Sequence, residues 1–369
     1  MKKAKNILRS VVMILAFICV GGICGWMIGR VMESSDLGFV PLYALLMATV
    51  FLGIYLHIIV HEAGHLVCGL LSGYRFCSFR IGSLTLVRTE DGFVWKRYSL
   101  AGTGGQCLMA PPEMTDDRIP YVLYNLGGSL ANFVLSAVLA LLALITPPLA
   151  SSLLLTAALL GLILGAANII PMQAGGMPND GHNALSLGKN PAALRAFRLQ
   201  MTINEQLTQG KRLRELPAEW FELPETLTDP LVAAQAAYHC NRLLDEGNFA
   251  ASDAQMERLQ QSDAPLVEVH RRQLINDRLY LELIGENRPE ITDAMLDKTQ
   301  TQFMKAMKTN LSVLRTQYAL ALLGDNDAEK AAEILKKFDK TASAYPYPGD
   351  AAAERELIEL AQQKAGAAV

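Results

Sequence analysis

Long apolar runs fill the chain from Ile7 to Pro171 and almost none follow Asn190, so the hydrophobic pattern divides the sequence in two. The first run, Ile7–Val31, follows Lys2, Lys3 and Lys5 and is long enough to supply the roughly 20 residues that a bilayer span requires. No small-residue cleavage site ends it, so it reads as an uncleaved anchor and not as a signal peptide. A second run begins near Val40, stays apolar to Val60, and continues without a helix breaker through HEAGHLVCGLL to Leu71. A third covers Tyr121 to about Ile145, closed by Pro147 and Pro148, and a fourth covers Leu153–Ile170 and stops at Pro171. The pattern predicts about four membrane spans.

Between the second and third runs the period changes from helical to alternating. Phe76–Ile81, Ser83–Arg88 and Phe93–Tyr98 alternate as half-buried strands do, and Asp91-Gly92 supplies a hairpin turn. These segments predict a small antiparallel sheet lying at the membrane surface. The glycine-rich AGTGGQ after it reads as a loop without chemistry. From about Leu185 onward the pattern is polar and helical. Phe303, Met307, Leu311, Leu314 and Tyr318 keep helical spacing and predict one buried stripe. LLDEGNFAASDAQMERL and LLGDNDAEKAAEILKKF share a Leu-rich helix end, a polar turn and an Ala-rich helix, the look of tetratricopeptide-like helical hairpins. Such a domain binds partner proteins or simply stabilises its neighbour.

The expected fold is therefore an all-α polytopic membrane protein with a small membrane-associated β-sheet and a soluble α-helical carboxy-terminal domain. The expected boundary lies between 1–190, embedded in the membrane, and 191–369, a cytoplasmic domain. Lys2, Lys3, Lys5 and Arg9 flank the first span, and Arg75, Arg80, Arg88, Lys96, Arg97 and Arg118 lie between the second and third. TPPLASS carries no cation, so the excess of positive charge predicts both termini on the cytoplasmic side of a multi-pass cell-membrane protein. A net charge of −3 lacks the basic surplus that a nucleic-acid partner would require. Six cysteines, without a C-x-x-C pair, suggest neither a disulfide framework nor a thiolate metal site.

The chemistry concentrates at His61-Glu62-Ala63-Gly64-His65. Residues four apart share one helix face, so both imidazoles can ligate one zinc ion while Glu62 serves as base to a bound water. Ionisable residues inside an apolar span are costly and by default functional. A hydrolytic zinc site wants a third protein ligand. Asp180 is the candidate, because Pro171 ends the last span and Gly175, Gly176 and Gly181 let the chain turn back. His182 is a rival, and His57, one turn before His61, is either an orienting partner or an ordinary residue.

HEAGH in one span, NLGGSLAN in the next and the later NIIP…NDG together resemble the intramembrane site-2 metalloprotease family, over Val40–His182. The resemblance implies zinc as cofactor, with His61, His65 and Asp180 as ligands and Glu62 as catalytic base. It also implies that Asn132 and Asn168 help form the substrate cleft; a helix–helix hydrogen bond is the alternative for each. The chain differs from compact members in placing MQAGGMPN between the Pro and the Asp. The implied function is zinc-dependent cleavage of membrane-anchored or membrane-inserted peptides, in contact with membrane lipid. The alternatives are an inactive scaffold or binding protein of the same fold, against which the intact Glu62 argues, and a metal transporter. A transporter would distribute polar residues through several spans.

Overall fold

The computed structural model describes residues 21–22, 25–26, 28–33, 36–89, 91–99, 103–113, 119–174 and 177–367. Most of the expected first span, Ile7–Val31, lies outside the described residues, as do Cys19 and Cys24. Among the described residues three helices are long and apolar enough to cross a membrane: α1 (Phe39–Leu71), α2 (Tyr121–Ala143) and α3 (Pro148–Ile169). Their mean hydropathies are 2.1, 2.0 and 2.2, and large side chains such as Phe51, Leu52, Val134 and Leu141 point outward from them, as lipid-facing residues do. Helix α3 starts five residues before the expected Leu153. Pro148 opens this helix instead of only closing the preceding segment, since a fixed φ and a missing N–H suit the first helical turn.

The chain divides into two compact units, one of residues up to Gly64 with Gly127–Ile170, the other of His65–Leu126 with Pro171–Val369. Helix α1 contributes to both. In the first unit, α1 packs against α2 and α3 through small residues and a few buried polar side chains, His57, Asn132, Ser136, Ser152 and Thr156 among them.

In the second unit, β1 (Arg75–Ile81), β2 (Leu84–Thr89), β3 (Gly92–Arg97) and β4 (Gly105–Ala110) form an antiparallel sheet in the order β3-β2-β1-β4. Ser78 pairs with Val87 on one side of β1 and with Leu108 on the other. The last two residues of the glycine-rich AGTGGQ are thus the start of a strand. Sequence alternation misses it because Gly105 shows no side chain to a pattern, whereas a ladder needs only backbone groups. Buried Arg80 ties the turn to that strand, donating to the carbonyls of Gly82 (2.9 Å) and Gly105 (3.3 Å) and to Thr103 Oγ1 (2.6 Å).

After Pro171 comes a two-stranded hairpin, β5 (Gln173–Ala174) and β6 (Met177–Pro178), then α4 (Asp180–Ser186) and α5 (Pro191–Thr208). Eight further helices follow: α6 (Pro230–Asp245), α7 (Phe249–Gln261), α8 (Glu268–Ile284), α9 (Pro289–Met295), α10 (Lys298–Ala306), α11 (Leu311–Ala319), α12 (Ala328–Ser343) and α13 (Pro348–Ala367). The two similar segments both fold as helix–turn–helix, with a left-handed residue in each turn, Gly247 (φ 75°) and Asn326 (φ 53°). The expected stripe from Phe303 to Tyr318 is split between α10 and α11. Asn310 accepts from the backbone N–H groups of Ser312 and Val313, capping a new helix where the spacing alone suggested continuity. Leu311, Leu314 and Tyr318 are buried, while Phe303 and Met307 pack at the edge of the same core.

Candidate metal centre

Helix α1 presents His57, His61, Glu62 and His65 in successive turns. His65 is buried, and its Nδ1 lies 2.8 Å from the backbone oxygen of Tyr124. A carbonyl only accepts, so Nδ1 carries the proton and donates, leaving Nε2 as the nitrogen able to ligate. Tyr124 is itself fixed: its hydroxyl donates to the Cys107 carbonyl (3.2 Å) and its ring stacks on Tyr74, with centroids 4.8 Å apart. The sheet thereby sets the carbonyl that sets the tautomer of His65.

His65 Nε2 faces Asp180 Oδ2 at 3.4 Å. Two ligands about 2.0–2.1 Å from a tetrahedral zinc stand roughly 3.3–3.4 Å apart, so this pair has the separation of one tetrahedral edge. Asp180 is brought here by its neighbour. Asn179 Oδ1 accepts from the N–H of Met172 and of His182, both at 3.0 Å, and the Asn179 N–H donates to the Met172 carbonyl, also at 3.0 Å. The intervening MQAGGMPN therefore loops out as the β5–β6 hairpin and closes on itself. Asp180 enters α4 directly after the point where the chain leaves Pro171 and Met172.

His61, His65 and Asp180 together form a group that could hold a metal ion, with one ligand atom from each and all of these atoms within 4.8 Å of one another. Two imidazoles and one carboxylate match the donors and the count of a hydrolytic zinc site, so the residues fit that ion. The His61 ring lies against Gly128, where an added Cβ would come within 2.5 Å of Nε2 and 2.6 Å of Nδ1. Glu62 is half-buried beside it on the same helix.

The other expected residues are placed as follows. Asn132 is buried, with one terminal amide atom 3.4 Å from His61 Nδ1 and the other 3.2 Å from His57 Nδ1. Asn168 donates to the Leu164 carbonyl of its own helix (3.1 Å) and is half-buried. His182 Nε2 meets Gln173 Nε2 at 3.1 Å, and His182 is not part of the three-residue group. Tyr124 and Asn179 escaped the sequence reading. For Asn179 a signal existed, since an Asn immediately before a short polar helix is a common cap. For Tyr124 there was none, because only its backbone oxygen is used. Among the described cysteines, Cys68, Cys77 and Cys240 are free thiols.

Residues 49–150 match the family model of Peptidase family M50, the site-2 protease family. The matched segment contains His61, Glu62, His65 and Asn132; Asn168 and Asp180 lie beyond it. No curated protein and no solved structure matches the chain. The family match supports a site-2-protease-like metalloprotease at family level, and with the three apolar helices it supports a membrane protein.

Proposed function

We propose that this protein is an intramembrane zinc endopeptidase, with His61, His65 and Asp180 as metal ligands and Glu62 as catalytic base. The observation that carries the reading is the 3.4 Å approach of Asp180 Oδ2 to His65 Nε2, within a group completed by His61. A zinc ion bound there supplies Lewis acidity toward a water molecule and a peptide carbonyl. Glu62 takes the proton of the attacking water and later delivers it to the leaving amine. Tyr124 holds His65 in the ligating tautomer, and Asn179 holds Asp180 at the helix start.

The substrate is a membrane-anchored or membrane-inserted peptide, reached from the lipid, with both termini of the enzyme cytoplasmic. A spanning helix hides its carbonyls in hydrogen bonds, so it must open locally before attack. Strand β1 is paired on both sides and has no free edge, so an extended substrate would add to an edge strand. The outer edge of β3 from Gly92 to Lys96 offers one, with Phe93 and Trp95 more than half exposed beside it, while Arg97 N–H already donates to the Ala344 carbonyl (3.2 Å). Asn168, half-buried near the end of α3, remains the proposed cleft residue. Residues 1–190 act as the membrane protease domain and 191–369 as a cytoplasmic domain of tetratricopeptide-like hairpins that receives a protein partner.

Comparison of membrane peptides from cells making the native protein or Glu62→Gln tests the reading. Uncut precursors should accumulate with Glu62→Gln while zinc content stays near that of the native protein. Identical peptide sets from both would remove the peptidase assignment.

A further inference from the structure

We propose that His57 and Asn132 form a hydrogen-bond relay that fixes the tautomer of His61 and so presents its Nε2 to the metal. This rests on the metal-centre reading above and assigns positioning roles to two residues outside the ligand set. His57 is fully buried, and its Nε2 lies 3.0 Å from the backbone oxygen of Ala157. A carbonyl only accepts, so Nε2 must carry a proton. In a neutral ring Nδ1 is then an acceptor. A doubly protonated ring would bury a charge with no carboxylate within ion-pair distance among the described residues, at considerable cost.

The Asn132 amide stands between the two imidazoles. Its Oδ1 is 3.2 Å from His57 Nδ1 and its Nδ2 is 3.4 Å from His61 Nδ1. In that orientation two acceptors face each other at His57, and His61 must accept at Nδ1 and keep its own proton on Nε2, where it opposes a metal. Turned over about its terminal bond, the same amide satisfies every partner. Nδ2 donates to His57 Nδ1, and Oδ1 accepts from His61 Nδ1–H. His61 Nε2 is then free of a proton and able to ligate, as His65 Nε2 is through the Tyr124 carbonyl. One orientation thus serves both a neutral His57 and a ligating His61.

The surrounding helices hold the relay in place. Ser136 Oγ donates to the Asn132 carbonyl (2.8 Å). Gly161 leaves the space that the His57 ring fills, since a Cβ there would come within 2.0 Å of His57 Cε1 and 2.3 Å of Ser136 Oγ. The relay joins α1, α2 and α3 within one unit.

The test uses the full chain in detergent with two readouts. One is zinc retention against a chelator. The other is the imidazole nitrogen spectrum of 15N-histidine-labelled, metal-free protein, with His57 and His61 assigned by single substitution. Asn132→Leu should weaken zinc binding by roughly 10–100-fold, the range for partners that orient a metal-ligating imidazole, and His57→Phe should weaken it in the same direction. Asn132→Asp should retain zinc to within a few-fold, because one carboxylate oxygen accepts from His61 Nδ1–H while the other pairs with a His57 that takes a second proton at Nδ1. The spectrum should show the His61 proton on Nδ1 and the His57 proton on Nε2. Native zinc affinity in Asn132→Leu, or a His61 proton on Nε2, would overturn the relay. Should Asn132→Leu fail to fold, the tautomers of the native and Asn132→Asp proteins decide the matter. A native protein that takes up no zinc would defeat the protease reading instead, and the tautomer spectrum would still judge the relay.

Discussion

Asp180 Oδ2 stands 3.4 Å from Nε2 of His65, the nitrogen that the Tyr124 carbonyl leaves without a proton. At that distance the two atoms have the separation of two ligands on one tetrahedral metal ion. Asp180→Asn should therefore lower zinc affinity by about two orders of magnitude or more, beyond what loss of an outer partner costs. His182→Ala should leave affinity within a few-fold of native, because its ring nitrogen is engaged with Gln173. Zinc competition against a chromophoric chelator checks both. A large loss in His182→Ala with native binding in Asp180→Asn would reverse the ligand assignment.

Asn179 closes the β5–β6 hairpin and caps α4 with one side-chain oxygen. Asn179→Ala removes both bonds, at a cost of about 1 kcal/mol for the cap alone. Zinc affinity should fall roughly tenfold as Asp180 loses its fixed approach, and Asn179→Asp should recover most of it. Equal affinities for all three proteins would show that the hairpin does not position the ligand.

Topology is open to direct measurement. A reporter fused after Lys189 should give a cytoplasmic signal. One inserted in the turn at Leu144–Thr146, between α2 and α3, should give the opposite signal. The same side for both would break the topology proposed here.

Two carboxyl groups on α13 should make folding pH-dependent. Burial pushes Asp350 up from 3.8 to about 7, with Asp245 adding to the rise. Burial also pushes Glu354 from 4.5 to about 7, partly offset by Arg315. Between about pH 4 and pH 7 the folded protein holds protons that the unfolded chain has released, so stability should decline as pH rises through that window. Asp350→Asn and Glu354→Gln should each flatten the decline, read as unfolding midpoints at pH 5 and pH 7.5. A native midpoint that rises over this interval, and rises equally in both variants, would contradict it.

Sequence alone brought His61, Glu62 and His65 together as candidates, because they lie on adjacent turns of one helix and need only that helix to form. It likewise determined three of the expected apolar helices and the first three strands, since side-chain periodicity is written directly into the residues. Tertiary structure decided the rest, for reasons of backbone chemistry and distance. Strand β4 is a ladder of backbone bonds that Gly105 does not advertise. The Tyr124 carbonyl that orients His65 belongs to no motif. Asp180 is separated from His65 by 115 positions in the chain, and its approach depends on a hairpin that closes through Asn179. His57 could be ranked in the sequence only as a possible partner of a ligand. Its role became legible when folding set the Asn132 amide between two imidazoles, because the direction of a hydrogen bond is fixed by which atoms meet and not by which residues are near in sequence.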